Sequence, residues 1–134
     1  MKHNNTIMLV THESIGTALL TVLQHTLDKI PLPIITVNVS EKSTPEKLTE
    51  KLQNLLHNLP IKQNVLILTD LFGSTPCNVL RMLKTEHPLQ IVTGLNLPML
   101  IRTVNYADLP LEELAEKARS GGKDGVVQCS VKGV

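Results

Sequence analysis

The chain has 134 residues, 42% of them hydrophobic and 19% charged, which is enough apolar content to bury a sizeable core in one domain and too much for a disordered segment. Thirteen basic side chains against 12 acidic ones leave a formal net charge of +1, and one Phe, one Tyr and no Trp make up the aromatic rings. Neither the basic footprint nor the stacking surfaces of a nucleic-acid binder are present, and no apolar run approaches the roughly 20 residues that cross a bilayer.

The polar opening Met1-Lys2-His3-Asn4-Asn5 is no signal peptide, so a cytoplasmic protein with no direct membrane insertion is expected. Ile7-Met8-Leu9-Val10 is a continuous apolar run, the pattern of a strand buried on both faces, and it stops at Thr11-His12-Glu13-Ser14. From Ile15 to Leu27 the period changes: Ile15, Leu19, Val22, Leu23 and Leu27 share a helical face, with Ser14 as the N-cap. Pro31 and Pro33 lead into a β-branched strand, Ile34 to Val39. Ser43-Thr44-Pro45-Glu46 supplies a cap, a first-turn proline and a first-turn acid for a second helix with the stripe Leu48, Leu52, Leu55 and Leu56.

Val65 to Thr69 is the most evenly apolar run and breaks at Asp70, which marks it as the central strand. Thr75 and Pro76 read as N-cap and first residue of a third helix that turns Val79, Leu80 and Leu83 to the core. Leu89 to Thr93 is strand four, closed by Gly94; Met99 to Tyr106 is a helix opened by Pro98, and Leu111 to Arg119 another, ended by Gly121-Gly122. Asp124 to Val131 reads as a final, partly alternating strand, and Met8, Met82 and Met99 as core. With no repeat and no linker, residues 1–134 form a single domain, an α/β sandwich on a mainly parallel sheet.

In such folds chemistry gathers outside the carboxyl ends of the strands, which selects Thr11 to Ser14, Ser40 to Ser43, Asp70 to Thr75 and Gly94 to Asn96. His12 and Asp70 end neighbouring strands, so their loops should converge. A carboxylate that accepts the Nδ1 proton of an imidazole leaves Nε2 as a nucleophile and stabilises the positive ring formed when Nε2 is modified. Alone, His12 also reads as a loop histidine satisfied by a carbonyl, and Asp70 as a turn residue. Gly73 allows a positive φ, Ser74 and Thr75 add hydroxyls, and the loop delivers N–H groups to a helix N-terminus, an arrangement that favours an anion. Phosphoryl transfer fits this pairing, with another protein as donor, since the chain lacks GxxxxGK[ST] and a Mg²⁺ carboxylate cluster. Thr11, Phe72 and Asn96 fall at the site's edge, although Asn96 also fits a plain strand-to-helix turn. His3, His25, His57 and His87 show no i, i+4 pairing, and Cys77 and Cys129 stand alone, so neither a metal nor a cofactor is expected.

Val10-Thr11-His12, Thr69 to Pro76 with Asn78, Thr93-Gly94-Leu95-Asn96-Leu97-Pro98-Met99-Leu100 and Gly121 to Val126 together resemble the IIA domain of the mannose-type sugar phosphotransferase system. The resemblance implies a histidine phosphocarrier, a phosphotransferase component that takes a phosphoryl group from HPr and passes it to a IIB domain in sugar uptake. His12 matches the phosphorylated histidine, which accepts on Nε2, and Asp70 its orienting carboxylate, with Gly73, Ser74 and Thr75 around the phosphoryl oxygens. It also implies a homodimer in which an antiparallel C-terminal strand, here Val126 to Val131, is exchanged with the partner's sheet. Two positions depart from the family: Glu13 and Ser74 stand where it often has glycine. A carboxylate beside the site would repel an incoming dianion, so Glu13 should face solvent or a partner, and the change could tune partner choice or slow transfer. The competing reading is a stand-alone regulatory IIA protein of a truncated system, binding a regulatory protein according to its phosphorylation state.

Overall fold

The structure, a computed structural model, describes residues 4–71 and 73–132. Strands β1 (Asn5–His12), β2 (Ile34–Val39), β3 (Asn64–Thr69) and β4 (Leu89–Thr93) form one sheet in the order β2-β1-β3-β4, every neighbouring pair parallel. Five helices connect and flank them: α1 (Ile15–Thr26), α2 (Pro45–His57), α3 (Thr75–Leu80), α4 (Leu97–Asn105) and α5 (Leu111–Asp124). The two central strands are covered on both faces, as their unbroken apolar runs require. Ile7, Leu9, Leu66 and Leu68 pack on one side with Leu23 of α1, Leu100 of α4 and Leu114 of α5; Met8, Val10, Val65 and Ile67 pack on the other with Leu52 and Leu56 of α2 and Leu80 of α3. The expected three-layer α/β sandwich with four parallel strands is therefore the fold.

Several helix ends differ from the sequence expectation by a residue or a turn, each for a local reason. Thr44 caps α2 by accepting from the Lys47 N–H, as the Thr-Pro pair predicts. For α3 the cap is Ser74, one residue before the expected Thr75, because its hydroxyl reaches the Cys77 N–H. In α4 the cap is Asn96, so the helix starts at Leu97. On α1 the buried face is centred on Gly16 and Leu23, leaving Ile15 and Val22 outside the core, and Met82 is 79% exposed rather than buried. On the solvent side of α5, the Arg119 guanidinium hydrogen-bonds Glu116 and holds its carboxyl below the usual range.

Gly121 and Gly122 do not end α5. The helix runs through them to Asp124, and both are buried against α4: a Cβ on Gly121 would lie 2.7 Å from Cβ of Arg102, and one on Gly122 would lie 2.7 Å from Cε of Met99. The missing side chains let two helix backbones approach. Beyond α5, residues 126–132 form no strand within the single chain, contrary to the sequence reading. The segment lies against no ladder partner of its own and exposes Val126, Val127 and Val131.

In an open helix Gly→Ala stabilises by about 1 kcal/mol. Here Gly121→Ala is expected to destabilise by about 1–3 kcal/mol, the cost of overpacking, read from the urea unfolding midpoint.

Candidate functional site

The chain passes from β1 outward to β2, then returns across the sheet to β3 and β4, so the direction of winding reverses between β1 and β3. Loops leaving these two strands diverge to opposite faces and open a crevice at the strands' carboxyl ends. His12 is the last residue of β1, and Asp70 is the first after β3; the parallel register that sets Val10 beside Thr69 brings them together.

Asp70 meets His12 twice. Its Oδ2 accepts the His12 backbone N–H at 3.0 Å, and the ring Nδ1 lies 3.1 Å from both carboxylate oxygens. The Asp70 side chain is 11% exposed and that of His12 42%, so the carboxylate sits at the crevice floor and the ring stands above it. With the Nδ1 edge turned to a hydrogen-bond acceptor, the proton belongs on Nδ1 and the lone pair on Nε2, which makes no hydrogen bond to the described residues. Chemically this is an accessible nitrogen nucleophile with a carboxylate behind it.

The loops around the pair are held by Thr11 and Asn96, expected at the site's edge, and by Ser74, expected around the phosphoryl oxygens. Thr11 is fully buried, and its hydroxyl accepts the Gly16 N–H at 2.8 Å, capping the first turn of α1, whereas Ser14 makes no capping bond. Ser74 also does structural work: besides capping α3 it donates to the Leu71 carbonyl at 2.8 Å. Asn96 accepts the Met99 N–H through Oδ1 and donates through Nδ2 to the Gly122 carbonyl, tying α4 to α5. Gly73 adopts φ +78°, the conformation its loop was expected to need, and Thr75 is exposed at the start of α3. Phe72 lies outside the described residues.

Glu13 is tied to the loop after β2. Its backbone has φ +48°, its N–H donates to the Val39 carbonyl at 2.8 Å, and its Oε1 accepts the Glu41 N–H at 3.2 Å. This contact links the β1–α1 turn to the loop after β2, and no spacing in the sequence announced it. Leu71, beside Asp70, is 57% exposed, and Ile15, which helical periodicity had assigned to the core, is 44% exposed. Among the described residues no group of three His, Cys, Asp or Glu side chains could hold a metal, and no helix is long and apolar enough to cross a membrane. A cleft of about 850 Å³ beside Leu56 and His87 lies at the opposite pole, where β3 and β4 begin.

A strand-end histidine backed by a carboxylate thus stands at the switch point of a four-stranded parallel sheet. The model of the family described as "PTS system fructose IIA component" (EIIA-man) matches residues 6–119, and the chain belongs to this family of phosphotransferase-system IIA components. It is 28% identical over 87 residues to the fructose-specific EIIA component of Bacillus subtilis (strain 168), covering 63% of this chain and 60% of that protein. It is 32% identical over 92 residues to the mannose-specific EIIAB component of Escherichia coli (strain K12), covering 66% of this chain and 28% of that one. The matched region thus spans less than two thirds of either relative. A solved structure described as the mannose/sorbose specific IIA subunit from Enterococcus faecalis superposes with a TM-score of 0.83 at 26% identity, covering 100% of this chain and 99% of that one. The EIIA component from Streptococcus agalactiae shares the fold, with a TM-score of 0.80 at 24% identity over 92% and 96% of the two chains.

Replacing Thr11 by Val keeps the shape and removes the hydroxyl that caps α1. Chemical denaturation should show a loss of about 1–2 kcal/mol.

Proposed function

We propose that this chain is a cytoplasmic histidine phosphocarrier that accepts a phosphoryl group from HPr on Nε2 of His12 and passes it to a IIB domain. The observation that carries the reading is the double contact of Asp70 with His12, which fixes both the backbone and the ring of the one residue. In the forward step the Nε2 lone pair forms a bond to phosphorus while the donor's N–P bond breaks and its electron pair returns to the donor's imidazole. The Nδ1 proton stays between ring and carboxylate throughout, so the positive charge that develops on His12 meets a fixed anion. The second transfer repeats this in reverse, with the acceptor's nucleophile attacking the same phosphorus. Gly73 and Thr75 border the approach, and the Ser74 hydroxyl acts on the phosphoryl group only through the loop that it holds.

Incubation with phosphoenolpyruvate, enzyme I and HPr should add one acid-labile phosphoryl group, absent in His12→Ala. A label on another residue, or none, would contradict the reading. Asp70→Asn should fold and accept the group more slowly, by about 10- to 100-fold, as expected for loss of an orienting partner.

A homodimer belongs to the same proposal. β4 is an edge strand with its residues half-buried, and 126–132 carries the exposed β-branched side chains Val126, Val127 and Val131. Pairing the tail of one copy with the sheet of another would cover both. A variant ending at Gly125 should sediment as a monomer while the full chain sediments as a dimer; equal masses for the two would exclude exchange through the tail.

A further inference from the structure

The four loops at the crevice carry Glu13, Glu41 and Asp70 against Lys42 alone. A phosphoryl group arriving at Nε2 brings up to two further negative charges, so this chain's own side chains oppose its arrival rather than neutralise it. Asp70 is committed to the ring and lies at the floor. Glu13 is different: it is exposed, it adjoins His12, and its position is fixed by three features. The backbone is held in the left-handed region at φ +48°, the N–H is bound to Val39, and the carboxylate is bound to the Glu41 N–H. A side chain in that conformation would be replaced by glycine at no steric loss. The carboxylate is thus held beside the loop after β2, on one side of β1, whereas Asp70 reaches His12 from the end of β3, on the other.

We propose that Glu13 is a specificity-determining residue for phosphoryl transfer, a rim charge that repels bare phosphoryl anions and favours protein donors that present a cation to the β2 side of His12. The proposal rests on His12 being the phosphoryl acceptor. Small phosphorylated metabolites meet Glu13 with no compensating charge and are slowed. A donor protein with a basic group beside its own phosphohistidine gains an attraction at the same place. Rim charges act mainly on encounter rates and on their salt dependence.

The experiment compares wild type, Glu13→Gln and Glu13→Gly with two donors, phosphorylated HPr and phosphoramidate, at low and high ionic strength. With phosphoramidate, Nε2 bonds to phosphorus as the P–N bond breaks, and the leaving nitrogen takes up a proton and departs as ammonia. At low salt both variants should react about two- to fivefold faster than wild type with phosphoramidate and about two- to fivefold slower with phosphorylated HPr, and both differences should close as salt shortens the screening length. A change of the same sign with both donors, or none with either, would overturn the proposal. Opposite behaviour of Glu13→Gln and Glu13→Gly would also overturn it, because the backbone and loop contact would then matter and the charge would not. If wild-type His12 takes a phosphoryl group from neither donor, the carrier reading itself fails; if it does so and the variants are indistinguishable from it, only the role of Glu13 fails.

Discussion

One carboxylate receiving two N–H groups from one residue is the contact on which the arrangement of this molecule turns. The backbone bond from His12 to Asp70 extends the β1–β3 ladder by one side-chain link past the last paired residues, and the ring bond turns that same link into a nucleophile and its orienter. Neither bond could form if β1 and β3 were out of register. Because Leu66 and Leu68 face one helix layer while Val65 and Ile67 face the other, a slip of one residue would exchange every side chain between the two cores. The apolar alternation of the buried strands therefore also positions the chemistry at their ends.

Around this contact the polar side chains divide into those that hold loops and those that face outward. Thr11, Ser74 and Asn96 each accept a helix N-terminal N–H, and Ser74 and Asn96 also donate to carbonyls. They make the crevice a fixed shape by satisfying backbone groups that a helix start leaves unpaired. Glu13 fastens the β1–α1 turn to the loop after β2, and its charge remains at the surface. The centre is small and polar, and Leu71 and Ile15 beside it are exposed.

Much of this was legible in the chain. β-branched enrichment gave β2, and the run closed by Gly94 gave β4, to the residue; the pairing of a histidine and an aspartate at the ends of two central strands was readable because both lie where a run of apolar residues breaks. The uses of Thr11, Ser74 and Asn96 were not, since a hydroxyl or amide beside a strand end serves equally as a cap or a ligand until its partner is known. Gly121-Gly122 looked like a stop signal because local rules describe an isolated helix, whereas these glycines answer to the approach of α4. Ile15, Val22 and Met82 were assigned to the core by periodicity, which gives the face of a helix without the width of what covers it. The strand expected from Asp124 is not formed among the described residues, because α5 runs on through its glycines to Asp124.

The central claim is that Asp70 holds Nδ1 so that Nε2 alone receives the phosphoryl group. NMR of the phosphorylated protein, with histidine labelled in ¹⁵N, measures this directly through the coupling between phosphorus and the bonded ring nitrogen of His12. The account predicts coupling to Nε2 with the Nδ1 proton retained; coupling to Nδ1 would contradict it.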